Sequence, residues 1–151
     1  MNKWEKVRKR PQLKVKKLRD DAKIPTRGTG RSAGIDIYSL EDAKIWPGDV
    51  KCFHTGLAFE IPIENWGCLA VRSSLGKRKV IISAGISVVD DDYRGEVLIY
   101  IANLGAYPVE ILKGDRYAQM VITPVTMCDI VEVDELTPTD RGGGGFGSTG
   151  R

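Results

Sequence analysis

The chain has 151 residues, 42% of them hydrophobic and 28% charged, which describes one ordinary globular domain rather than a disordered segment. The net charge of +3 hides an asymmetry: residues 1–20 carry nine Lys/Arg against two acids, and the rest holds 14 basic and 18 acidic groups, net −4. A short basic arm on a mildly acidic body follows, and the body lacks the basic, aromatic-interleaved stripe of a nucleic-acid binder.

No apolar run approaches the ~20 residues needed to span a bilayer, so no membrane contact is expected. The basic N-terminus lacks the apolar stretch of a secretory signal, which points to an intracellular, cytoplasmic protein, with a nuclear or viral origin left open. His54 is the only histidine, so a two-histidine metal site within one chain is excluded, and no nucleophile motif accompanies it. Cys52, Cys68 and Cys128 are widely spaced among apolar neighbours and read as buried free thiols.

In chain order, residues 1–12 form a basic extension, and a first strand is predicted near Leu13–Leu18. Further strands follow over 50–60, 66–72, 79–83, 96–103, 108–112, 116–123 and 128–134, each rich in β-branched and aromatic residues. Turn signals part them: Pro47-Gly48-Asp49, Pro62, Asn103-Leu104-Gly105 and Lys113-Gly114-Asp115. No window shows a convincing helical stripe. The prediction is an all-β, single-domain sandwich or barrel over 13–138, closed by a Gly-rich arm over 139–151.

Four segments could carry chemistry. Asp90-Asp91-Asp92 follows the apolar pair Val88-Val89; in an extended segment Asp90 and Asp92 share a face, a costly arrangement unless a cation or a bound water uses it. Arg72-Ser73-Ser74-Leu75-Gly76-Lys77 offers an Arg fork and two hydroxyls suited to phosphate oxygens. Gly114-Asp115-Arg116-Tyr117-Ala118-Gln119 is a turn feeding a strand, with Gln119 as a donor. Arg141 to Gly150 holds four consecutive glycines, a lone Phe146 and the hydroxyls of Ser148 and Thr149. Its amides can approach an anion closely, yet no Gly-Lys-Ser/Thr ends it as a Walker loop requires.

Together with Ala33-Gly34-Ile35-Asp36-Ile37, these segments occur in one order that resembles the trimeric dUTPase family. The five motifs of that family run AGxDL, RSGL or RSSL, GxIDxDYxG, GDRxAQ and RGxxGFGSTG. The resemblance extends from about Leu13 to Arg151. It implies a β-barrel or jelly-roll-like subunit, a homotrimer whose three chains share each active site, and hydrolysis of dUTP to dUMP and pyrophosphate. That reaction keeps uracil out of DNA and supplies dUMP for dTMP synthesis.

By the same resemblance, Asp90 activates or orients water, and Tyr93 packs under the deoxyribose and excludes a 2′-hydroxyl. Arg72, Ser73, Ser74 and Gln119 contact the phosphates. The loop from Ser83 to Val89, including Gly85 and Ser87, receives uracil mainly through backbone groups. Phe146 covers the base, with Gly147 beside it, while Arg141, Ser148 and Thr149 hold phosphate oxygens. Asp36 supports Arg72, and Mg²⁺ is carried on the triphosphate and its waters rather than by direct protein ligands.

The chain departs from the family pattern at Ser87, where Gly is usual, and at Val71 and Ser74 around Arg72. A dCTP deaminase or bifunctional deaminase–dUTPase is an alternative, needing a catalytic Glu in the base pocket. A regulatory or nucleic-acid-binding protein on a dUTPase body is another, with the basic arm as contact; nothing else in the chain supports it.

Overall fold

The structure is a computed structural model, and residues 10–145 are described. Eleven strands are β1 (Lys14–Lys17), β2 (Ile35–Tyr38), β3 (Ala43–Ile45), β4 (Val50–His54), β5 (Leu57–Glu60), β6 (Asn65–Val71), β7 (Val80–Ile82), β8 (Ser87–Val89), β9 (Leu98–Asn103), β10 (Val109–Ile111) and β11 (Arg116–Pro124). One helical turn, α1 (Ser73–Gly76), follows β6. The strands form a four-stranded sheet in the order β2-β11-β6-β8, a three-stranded sheet β4-β9-β7, and the pairs β1-β5 and β3-β10. Every named pairing is antiparallel.

The two larger sheets enclose the core, and several strands of the fold alternate apolar-in and polar-out. In β7 and β10 the middle residue is exposed and its neighbours are buried. Phe53 of β4 reaches across to Tyr117 of β11, ring centroids 4.6 Å apart, and joins the sheets. Ile37, Leu57, Ile99, Ile101 and Met120 fill the space around that pair. The Tyr117 hydroxyl has no partner there, and burial pushes its pKa well above the ordinary value. The subunit is all-β and jelly-roll-like, with no closed barrel among the described residues.

Four expectations need correction. The run 50–60 is two strands in different sheets, because the chain bends at Thr55-Gly56. The segment 128–134 forms no strand: it is irregular and exposed, with no neighbouring strand to pair with among the described residues. The acidic triplet is a turn rather than an extended segment, so period-two facing does not apply to it. The thiols are not buried: Cys52 and Cys68 are half-buried and Cys128 is exposed. No helix is long and apolar enough to cross a membrane among the described residues.

Candidate active site

β11 is central to the first half of the site. It pairs with β2 on one side and β6 on the other, so Gln119 faces both Asp36 and Ala70. Asp36 is buried, yet its carboxylate is satisfied by two guanidiniums. Arg72 Nε lies 3.1 Å from Oδ1, and Arg116 Nη1 lies 3.2 Å from Oδ2. The arginines retain a third to two-fifths of their side-chain surface in water, so their remaining donors are available to an anion. Gln119 lies directly over Gly34, where any Cβ would overlap its amide, and its Nε2 donates to the Val71 carbonyl at 3.4 Å.

Arg72 also caps α1, whose first turn carries the exposed Ser73 and Ser74. Its backbone N–H donates to Tyr117 O at 3.1 Å, which ties the end of β6 to β11. Arg72, Ser74, Gly114 and Arg116 line one hollow of about 310 Å³. With two arginines and a hydroxyl on its wall, this hollow is suited to phosphate oxygens.

The second half of the site lies along β8, the edge strand of the same sheet. After β7 the chain turns at Gly85, whose N–H donates to Ile82 O at 2.9 Å, and enters β8 at the half-buried Ser87. Val89 is buried and fixes the strand end, leaving Asp90 exposed. Asp91 has a structural role, its Oδ2 accepting the Glu64 N–H at 3.0 Å. The Tyr93 N–H donates to Asp90 O at 3.3 Å. The Tyr93 ring crosses Gly95 so closely that a Cβ there would overlap it, and its hydroxyl donates to Glu96 O at 3.0 Å.

Ser87, Val89, Asp90, Tyr93 and Glu96 line a hollow of about 340 Å³. Asp90 also borders a larger hollow of about 680 Å³ walled by Ile63, Trp66, Val88 and Met127. The Glu96 carboxyl is pushed up by burial, but hydrogen bonds from His54 and the Gly56 amide, with the charges of His54 and Arg19, bring it below the usual carboxylate value.

The two halves do not meet within one chain. Val89 pairs with Gly67 and Ser87 with Leu69, so Asp90 leaves the sheet near the start of β6, whereas Arg72 follows its end. That separates them by roughly 20 Å of strand. Their hollows share no residue. Arg141 lies on the exposed C-terminal segment, its Nε donating to Gly144 O at 2.9 Å and touching neither half. Phe146, Gly147, Ser148 and Thr149 lie outside the described residues.

Two residues of the site were not singled out in the sequence. Arg116 is the second guanidinium on Asp36, and its signal was the charged side chain closing the Gly114-Asp115 turn. Glu96 had no local signal, since its partners His54 and Gly56 lie forty residues away.

Comparison with known proteins identifies the family of the chain. The dUTPase family pattern matches residues 20–150. A deoxyuridine 5′-triphosphate nucleotidohydrolase of Nautilia profundicola is 44% identical over 93% of this chain and 99% of its own length. A mutant dUTPase of Staphylococcus bacteriophage 80alpha, solved with dUpNHpp, superposes with a TM-score of 0.84 at 27% identity, covering 93% of this chain and 99% of that one. A mutant dUTPase from phage phi11 of S. aureus, whose structure reveals the coordination of a structural Mg(II) ion, superposes with a TM-score of 0.75 at 26% identity, over 83% of this chain and 98% of that one. The chain belongs to the dUTPase family.

Proposed function

We propose that this chain is a dUTP nucleotidohydrolase that cleaves dUTP to dUMP and pyrophosphate, with Asp90 directing water at the α-phosphate. One observation carries the assignment of roles. Asp90 and Tyr93 border the same hollow as the edge strand β8. An edge strand presents backbone N–H and C=O groups that no neighbouring strand takes, and such a row reads the polar edge of uracil without side chains. Tyr93 then lies against the sugar, where a ring leaves no room for a 2′-hydroxyl. Asp90, exposed and clear of the Asp36 cluster, acts as general base or water positioner.

Attack at the α-phosphate needs alignment and neutralised charge more than covalent help. Arg72, Ser73, Ser74 and Gln119 supply the donors, with Arg116 beside them, and Asp36 holds both guanidiniums in place. Asp36 is fully engaged by those arginines, and no cluster of three metal-ligating side chains occurs among the described residues. These donors would hold the triphosphate, and Mg²⁺ would be carried by triphosphate oxygens and water. When bound, the ion withdraws charge from the phosphates. The product dUMP feeds dTMP synthesis, and removal of dUTP keeps uracil out of DNA.

Because Asp90 follows β8 beside the start of β6 and Arg72 follows the end of β6, each complete site takes them from different copies, in a homotrimer. The apolar residues Ile130, Val131 and Leu136, exposed among the described residues, fit burial against a neighbour. The arm after Asp140 closes over the nucleotide, with Phe146 on the base and Arg141, Ser148 and Thr149 on phosphates.

Deamination of dCTP is not favoured. Glu96 is the one glutamate lining the hollow that Asp90 shares with Tyr93, and its two oxygens are occupied by the Gly56 N–H and His54. Pyrophosphate release from dUTP, measured beside dCTP, dTTP and UTP, tests the assignment: dUTP alone should turn over rapidly. Ammonia release from dCTP would overturn it.

A further inference from the structure

The Glu96 carboxylate is a bridge between two parts of the chain that the sequence keeps far apart. Its Oε1 accepts the Gly56 N–H at 2.8 Å, and its Oε2 lies 3.0 Å from His54 Nδ1. A carboxylate can only accept, so the imidazole donates. Beside this clamp the buried Thr55 hydroxyl donates to Val97 O at 2.8 Å, and the Val97 N–H donates to Leu57 O at 2.9 Å. The bend from His54 to Leu57 is therefore laced to Glu96 and Val97 on both sides. The backbone carbonyl of the clamped Glu96 is the group that receives the Tyr93 hydroxyl.

We infer that Glu96 is a positioning residue for sugar selection: by anchoring its own backbone to the His54–Gly56 bend, it holds the Tyr93 ring at the angle that excludes a 2′-hydroxyl. The inference rests on the role proposed above for Tyr93. The ring has little else to hold it. It is 46% exposed, and one of its faces lies on Gly95, which offers no side chain. Its hydroxyl bond to Glu96 O is the contact that fixes its tilt, so play at residue 96 becomes play in the ring. Steric exclusion fails quickly when a wall can yield, because a hydroxyl needs only a small displacement to fit.

Residue 96 is the natural place for such control. It stands between the Tyr93 turn and β9, whose Leu98 pairs with His54 in the ladder to β4. The carboxylate thus couples the substrate-facing turn to the rigid three-stranded sheet. Glutamine at this position keeps an amide oxygen for the Gly56 N–H and a second polar atom for His54. Alanine keeps neither.

The test compares kcat/KM for dUTP and UTP in the full-length protein and in Glu96→Ala, Glu96→Gln, His54→Ala, Tyr93→Phe and Tyr93→Ala. Glu96→Ala should narrow the preference for dUTP about tenfold, the scale on which one small group in a pocket separates two substrates. Glu96→Gln should stay near the parent ratio. His54→Ala, at an exposed position that leaves the core intact, should narrow it less than Glu96→Ala. Adding Glu96→Ala to Tyr93→Phe should change the ratio little further, because the bond through which Glu96 acts is already gone. A fall in stability alone would lower both rates together and leave the ratio unmoved. The inference is overturned if Glu96→Ala and His54→Ala keep the parent ratio while Tyr93→Ala narrows it. If Tyr93→Ala also keeps it, the role of Tyr93 itself falls and takes this one with it.

Discussion

Asp36 and Arg72 meet at 3.1 Å because β2 and β6 flank the same strand, β11. Neither residue is near the other in sequence; the sheet order alone puts the buried carboxylate against the guanidinium. Arg116, entering from β11 itself, completes the cluster at 3.2 Å. The phosphate-facing side of the site is thus an ion cluster held by one acid and opened to solvent by two bases.

Replacing Asp36 with Asn removes the charge and leaves the shape. The arginines would lose their common anchor and repel each other, and each would sample more positions before meeting a phosphate. Stability should fall by about 2 kcal/mol, below the full cost of breaking a buried pair because both arginines remain partly in water. KM for dUTP should rise more than kcat falls. Thermal unfolding and steady-state kinetics on the variant check both statements, and an unchanged KM would detach Asp36 from phosphate binding.

Asp90→Asn keeps volume and hydrogen-bonding reach while removing the base. The expected loss in kcat is about 10²- to 10⁴-fold, the usual contribution of a positioned acid or base. Affinity for a non-hydrolysable dUTP analogue, measured by calorimetry, should stay close to that of the parent. Near-normal turnover would show that Asp90 does not direct the water.

The Glu96 carboxyl has a folded pKa below its ordinary value of about 4.5. A depressed acid stabilises the fold at pH above its unfolded pKa, and the contribution disappears as pH falls through the folded value. The melting-temperature advantage of the parent over Glu96→Gln should therefore shrink as pH falls below about 4.5. An advantage that grew as pH fell below about 4.5 would mean that the carboxylate is not the favoured form in the fold.

Much of the fold was legible because short strands alternate and their turns carry Gly, Pro, Asn and Asp. The strands at 98–103, 109–111 and 116–124 lie within two residues of where the pattern placed them. The bend at Thr55-Gly56 was not legible: both flanking segments are apolar, and the signal that splits them is a set of long-range bonds to Glu96 and Val97. The run 128–134 has strand composition but no ladder partner among the described residues, and composition cannot supply one. At the site, Asp36, Arg72, Gln119, Asp90 and Tyr93 could be named from five ordered motifs. The roles of Arg116, which stands in the fourth motif, and of Glu96 could not, because they come from pairing register and from a fold-made clamp. That the motifs divide between two ends of β6 is likewise a property of the sheet rather than of any motif.

The division between those ends gives the most direct test. Arg72→Ala and Asp90→Asn each disable one half of the site, and each variant alone should be almost inactive. Copies of the two carrying different affinity tags would be unfolded, mixed in equal amounts, refolded and purified through both tags in turn. If the halves come from different copies, about a third of the sites in such mixed trimers join an intact Asp90 to an intact Arg72, and hydrolysis of dUTP returns to about that fraction of the parent rate. If both halves of a site belong to one copy, every site stays broken, and mixed oligomers as inactive as the separate variants would contradict the shared site.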